Sequence, residues 1–225
     1  MELHSVVPWG RSFAEYKRMF CLTEADLNKS ILGCGDGPAS FNAELTQQGG
    51  KVTSIDPAYA FSADQFSQCI KLVYNEIMPQ MAKTKDNYVW EDIPSVDALG
   101  EIRMSAMNTF LADYESGKQQ GRYLNAALPS LPFDEHQFEL ALCSHYLFLY
   151  SEQVNLLQHL DALRELTRIA NEVRIYPLVT LSGEPSPYIE PVMDWLGANN
   201  LRSQLRPCQY QFQKGATQML VAGVA

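Results

Sequence analysis

Ser30-Ile31-Leu32-Gly33-Cys34-Gly35-Asp36-Gly37-Pro38, residues 30–38, runs from a short apolar segment through a glycine-rich turn into a proline. The apolar run from Ser30 to Leu32 is too short for a helix and reads as a strand. Pro38 has the fixed φ of a first helical turn, and the pattern predicts a helix over Pro38 to Gln48, closed by Gly49 and Gly50. A strand, a glycine turn and a helix in succession let backbone approach a bound ligand closely, because glycine carries no Cβ. Three glycines can equally make nothing more than a tight connection, so the turn needs its context.

That context repeats the alternation. Val52 to Ile55 is a β-branched second strand that stops on Asp56-Pro57, and Tyr123-Leu124 leads into Asn125 as a brief third. Phe138 to Cys143 is an apolar fourth strand. Ser151 then reads as the cap of a helix reaching Ile169, with Leu156, Leu157, Leu160 and Leu163 as its buried stripe. Val173 to Tyr176 is a fifth strand, and Cys208–Phe212 with Gln218–Val224 flank Lys214-Gly215-Ala216 as a terminal hairpin. The expected class is α/β: a doubly wound, mostly parallel, seven-stranded sheet with a terminal antiparallel hairpin. Residues 1–225 read as a single domain with a helical segment over 1–28. Residues 60–121 are too long for one connection and read as a helical insertion between strands two and three. In it Ser62 and Gln65 form a capping-box pattern, and Phe66, Ile70, Val73, Tyr74 and Ile77 recur at helical spacing. A second helix is expected over Val96 to Glu115, with Leu99, Ile102, Ala106, Phe110 and Tyr114 on related faces. The stripes serve packing, and the insertion's root beside the strand ends also suits a lid.

Asp56 closes the strand after the glycine turn, where a carboxylate can accept from two vicinal ribose hydroxyls. A dinucleotide fold would carry a third glycine where this chain has Pro38, which disfavours a pyrophosphate cofactor. At these residues the chain resembles the class I S-adenosylmethionine (SAM) dependent methyltransferases. Ile31 to Gly37 looks like their first motif and Val52 to Pro57 their second. Leu124 to Phe133 is similar to their adenine-contacting stretch, and Phe138 to Tyr150 to the strand and loop beside the sulfonium. The resemblance implies SAM as cofactor, contacts to its methionine part from Gly33, Cys34, Gly35, Asp36, Gly37 and Ser144, ribose contacts at Asp56 and Pro57, and an adenine border at Asn125 and Ala126. Two positions depart from the family: the acid two residues before the first glycine is Ile31, and the acid at the adenine position is Asn125. Another group, such as a backbone carbonyl of the glycine loop or of Cys143 and Ser144, must then receive the methionine ammonium.

Arg11, in a segment with Trp9, Gly10 and Tyr16 that precedes the sheet, can clamp a carboxylate, or can be an ordinary solvated arginine. His145 follows the fourth strand, where the resemblance places the transferred methyl group. Its chemistry suits a general base, and its alternative is a hydrogen-bonding structural role. Asp56-Pro57-Ala58-Tyr59 superficially matches the D/N-P-P-Y motif of enzymes that methylate amino groups of bases or glutamine, but it follows the second strand, not the fourth.

Composition narrows the partners. A formal net charge of −9 over 225 residues, with no Lys/Arg stripe, opposes a phosphate-tracking surface, so no nucleic acid is expected. No stretch approaches the roughly 20 apolar residues of a membrane span. Five singly scattered cysteines (Cys21, Cys34, Cys69, Cys143, Cys208) form no metal-ligand pattern and fit a reducing, cytoplasmic setting. The reading is a SAM-dependent methyltransferase acting on a small-molecule or protein acceptor. Its rivals are a noncatalytic module binding SAM or its demethylated product, S-adenosylhomocysteine (SAH), and a nicotinamide-dependent oxidoreductase. Acceptor and oligomeric state are left open.

Overall fold

The computed structural model describes residues 9–224. Seven strands form one sheet: β1 (Ser30–Cys34), β2 (Lys51–Ile55), β3 (Tyr123–Leu124), β4 (Phe138–Ser144), β5 (Ala170–Tyr176), β6 (Leu201–Pro207) and β7 (Gln218–Val224). Their order is β3-β2-β1-β4-β5-β7-β6. The first five run parallel, and β7 lies antiparallel to both β5 and β6. The central strands are apolar throughout because helices cover both faces; Leu140, Ala141, Leu142 and Cys143 are fully buried. The chain leaves β1 toward β2 on one side and enters β4 on the other, so a crevice opens at the C-terminal ends of β1 and β4.

Around the sheet lie α1 (Phe13–Met19), α2 (Glu24–Leu27), α3 (Phe41–Gln47), α4 (Ala63–Lys83), α5 (Val96–Gln119), α6 (Leu156–Ile169) and α7 (Ile189–Ala198). The mostly parallel α/β architecture and its reversed end match the sequence expectation, with three corrections in detail. The hairpin's first strand is Leu201–Pro207, not Cys208–Phe212. Its sequence, LRSQLRP, hides its strand character because an edge strand with mostly exposed side chains lacks the apolar alternation. The 208–212 run does alternate, but it spends Tyr210 and Phe212 on the core beside Tyr88 and Met219. Helix α6 begins at Leu156, capped by Asn155 in a capping box with Gln158. Ser151 instead donates to the Phe148 carbonyl at 2.7 Å and meets Ser186 at 2.7 Å. With the later start the buried face becomes His159, Ala162, Leu163, Leu166 and Ile169, and Leu157 is 65% exposed. Helix α3 starts at Phe41, so Pro38 stays in the loop.

The insertion is the two long helices α4 and α5. Ser62 caps α4 with Gln65 as expected. The first half of α4 packs Phe66 and Ile70 against Phe110 and Tyr114 of α5, together with Tyr59 and Tyr123. Its second half sends Val73, Ile77 and Met81 into the cluster that also holds Tyr16, Met19 and Phe20 of the N-terminal segment. That segment is tied to the sheet by Arg174 of β5, which donates to the Phe20 carbonyl at 2.8 Å and to Asp26 at 3.1 Å. Of the expected N-terminal helical stretch, residues 1–8 lie outside the described residues, and α1 and α2 account for helix in the rest.

Because the insertion shares its core with the parent sheet, its helices should not melt on their own. Phe110→Ala, which empties a fully buried ring site, is expected to cost roughly 3–5 kcal/mol. Urea unfolding followed in parallel by circular dichroism and tryptophan fluorescence should give one coincident transition for both proteins; an early helical transition would contradict this packing.

Candidate functional site

The glycine turn wraps around one carboxylate. Asp36 turns inward and is buried; its Oδ1 accepts from the Tyr16 hydroxyl at 2.7 Å and its Oδ2 from the Ser54 hydroxyl at 2.6 Å. Gly33 makes this possible: a Cβ there would sit 1.8 Å from the Asp36 Oδ2. Gly35 and Gly37 adopt φ of 69° and 50°, the left-handed region that side chains resist. The loop is pinned further by Gly35 N–H to the Ile55 carbonyl at 3.0 Å and by the Tyr59 hydroxyl to the Gly37 carbonyl at 2.8 Å. Burial pushes the Asp36 carboxyl up to about 6; the two hydroxyl donors oppose the rise, and the neighbouring Asp56 charge adds to it.

Asp56 ends β2 beside the loop. Its Oδ2 accepts from Gly37 N–H at 3.0 Å and its Oδ1 from Ala58 N–H at 2.8 Å, which aims the carboxylate across the crevice. Each oxygen retains a further lone pair. Burial raises its pKa, against the pull of these two backbone donors.

An N-terminal strap closes a third side. The Arg11 carbonyl accepts from Ser40 N–H at 3.1 Å, and Phe13 N–H donates to Ser40 Oγ at 3.1 Å, so the strap lies along the loop that follows the glycines. Arg11 donates from Nη1 to the Trp9 carbonyl at 2.7 Å, while its Nε is buried with no partner among the described residues. No described carboxylate pairs with it. The adjacent Glu15 is already committed: Arg103 binds its Oε2, and the Tyr210 hydroxyl donates to its Oε1 at 2.6 Å. Arg103 thus takes the Glu15 carboxylate, and the Arg11 charge beside it has no carboxylate partner among the described residues.

Ser144 and His145 close the fourth side. His145 has φ of 51°, its N–H donates to the Tyr176 carbonyl at 2.8 Å, and its Nδ1 lies 2.9 Å from Ser144 Oγ. A non-glycine residue held in this conformation at a strand end points to a functional constraint. Burial, followed by the charges of Arg11 and Arg103, pushes the imidazole pKa well down, so the ring is neutral at physiological pH.

These elements enclose a cavity of about 700 Å³. Of the residues expected from sequence, Arg11, Cys34, Gly35, Asp36, Gly37, Asp56, Pro57, Ala126, Ser144 and His145 line it. Two do not. Gly33 lies in β1 beneath the loop, and Asn125 is exposed, with Ala126, Ala127 and Leu128 forming the wall in its place. Asp36 reaches the cavity edge, but both its oxygens face protein donors, so its part is to hold the loop. Sequence reasoning missed Phe61, Tyr146 and the α4 residues Cys69, Val73 and Glu76. The α4 residues were legible only as a helical stripe, since nothing in spacing says which end of a stripe faces a crevice.

Five parallel strands, a reversal of strand order at the paired β1 and β4, and β7 inserted antiparallel between β5 and β6, with the cavity over β1 and β4, decide the fold. It is a Rossmann-like, doubly wound α/β fold with a reversed end. No family model matches the chain. An uncharacterized protein of Methanocaldococcus jannaschii is 29% identical over 222 residues, covering 98% of this chain and 97% of the relative. Among solved structures, the magnesium protoporphyrin IX methyltransferase of Synechocystis PCC 6803, crystallised with bound SAM, is 11% identical with a TM-score of 0.46, over 90% of this chain and 73% of that one. A SAM dependent methyltransferase from Aquifex aeolicus is 14% identical with a TM-score of 0.43, over 88% and 83%. Similarity at this level fixes no activity.

Asp36 gives a pH test of the loop. Its folded pKa of about 6 lies above the ordinary carboxylate value of 3.8, so its protonated form favours folding. That contribution is fully present below about pH 4 and is lost as pH rises through about 6. The stability of Asp36→Asn relative to the native chain should therefore improve by roughly 3 kcal/mol between pH 4 and pH 7 in denaturant titrations. A difference that does not change with pH would mean that Asp36 is not buried as described.

Proposed function

We propose that the cavity binds SAM and that the protein is a methyltransferase acting on a small-molecule acceptor. The observation that carries the reading is the make-up of the cavity wall, which brings together the Arg11 guanidinium, with no carboxylate partner among the described residues, the Asp56 carboxylate and the glycine-loop backbone. The residues fit SAM part by part. Arg11, with its orphaned buried Nε, suits the cofactor carboxylate, which supplies the partner that Arg11 lacks among the described residues. The second lone pairs of Asp56 suit two ribose hydroxyls. Pro57, Ala58, Ala126 and Leu128 offer an apolar slot of the kind a purine needs.

SAM would supply a methyl group on an electrophilic sulfonium. The protein's share of the work is then largely positioning. The glycine loop, held by Asp36, fixes the methionine end, and α4 and the strap line the cavity beside it. His145, neutral and tethered by Ser144, can accept a proton from an acceptor, but its depressed pKa makes it a weak base. Acceptors that need little deprotonation suit this site best. This wall also favours a small acceptor over a protein side chain, because α4 is packed into the core at both ends.

The test is calorimetric titration with SAM, SAH and, as control, NADH. Saturable binding of SAM and SAH is expected, weakened about tenfold or more by Arg11→Ala and by Asp56→Ala, each of which removes charge-assisted hydrogen bonds. Binding of NADH in their place would favour the oxidoreductase reading. Binding of SAM with no methyl transfer to any acceptor tried would favour a noncatalytic module. Absence of SAM binding to folded protein would remove the proposal.

A further inference from the structure

The cavity wall includes a stretch of α4 whose residues are not used by the polar groups assigned above. Cys69, Val73 and Glu76 lie four and three residues apart on α4, so they share one face, and all three line the cavity. The rings of Trp9, Phe61 and Tyr146 line the same cavity, Trp9 and Phe61 lying beside Tyr74 and Phe66 of α4. Glu76 forms no hydrogen bond or ion pair with any described residue.

The distribution of charge decides what this stretch can receive. Asp36 is occupied by Tyr16 and Ser54, and Asp56 by Gly37 and Ala58, leaving Glu76 as the acid in the described cavity wall with no protein partner. The cation of the wall, Arg11, belongs to the cofactor's carboxylate. An anionic acceptor would face Glu76 with no cation to offset it, and a neutral one would strip water from the carboxylate without replacing the lost hydrogen bonds. A cation is complementary both to Glu76 and to aromatic faces, which attract positive charge. The formal net charge of −9 also favours the approach of cations over anions.

We infer that the acceptor is a small molecule bearing a positively charged amine, with an apolar body that packs among Trp9, Phe61 and Tyr146 while its ammonium binds Glu76. This rests on the methyltransferase reading above and specifies its substrate class. Glu76 acts as a specificity-determining residue: it reads the acceptor's charge and takes no part in moving the methyl group.

The experiment loads the full chain with saturating SAH and titrates three ligands of matched size, 2-phenylethylamine, 2-phenylethanol and 3-phenylpropanoate, by calorimetry. The amine should bind at least about tenfold more tightly than the other two, the ratio set by one charge-assisted hydrogen bond. Glu76→Gln, a substitution of equal size on an exposed helical position, should erase that preference and leave the SAH affinity unchanged. Equal or tighter binding of the alcohol or the carboxylate overturns the inference, as does an amine preference that survives in Glu76→Gln. It is also overturned if Glu76→Gln weakens SAM relative to SAH while amine binding is unchanged, since the residue would then read the sulfonium. Failure of SAH itself to bind removes the cofactor reading first, which separates the two failures.

Discussion

One buried carboxylate, that of Asp36, organises the C-terminal edge of the sheet. It is gripped by Tyr16 from the N-terminal segment and Ser54 from β2, so a single side chain joins three stretches of chain that are distant in sequence. The grip continues behind Ser54, which accepts from Asn42 Nδ2 at 3.1 Å, and Asn42 in turn meets Arg122 just ahead of β3. The glycines follow from this arrangement: Gly33 leaves the space that the carboxylate fills, and the left-handed turns at Gly35 and Gly37 carry the backbone over it. The loop is rigid because its polar core is satisfied, and its outward face is free to meet a ligand.

Above this floor α4 forms part of the cavity wall. α4 is anchored at one end among Phe66, Phe110 and Tyr114, and at the other among Ile77, Met81 and the N-terminal helix. A wall fixed in this way pre-organises the cavity, so little ordering cost remains for binding. The same packing sets the electrostatics. Glu15 is held well below the ordinary carboxylate range: burial would raise it, but Arg103, Arg11 and Tyr210 prevail. Its charge is consumed by Arg103, which leaves Arg11 as the cavity's available cation. The presence of Arg11 in the cavity wall without a carboxylate partner among the described residues is thus a product of how the N-terminal segment docks.

The parallel sheet, the glycine turn, Asp56 and the insertion were legible in the sequence because each rests on a local signal: a short apolar run, a glycine cluster, an acid at a strand end, a stretch too long for a loop. Ten of the 21 residues lining the cavity followed from the same signals. What was not legible was long-range. Asp36 reads as a ligand contact until Tyr16 and Ser54 are seen to occupy it. Asn125 reads as a ligand contact until the chain turns it outward and presents Ala126 to Leu128. The edge strand β6 was missed because solvent faces most of its side chains and the pattern that marks a strand is a pattern of burial. Glu76 carries no local signal at all; only the path of α4 across the crevice brings it to the wall.

A crystal structure of the chain grown with SAH tests the central claim most directly. The account expects the ligand along the ends of β1 and β4, its carboxylate on Arg11, its ribose hydroxyls on Asp56 and its adenine against Ala126 to Leu128, with the Asp36 contacts to Tyr16 and Ser54 unchanged. SAH bound elsewhere, or bound in this cavity with its carboxylate away from Arg11, would contradict it.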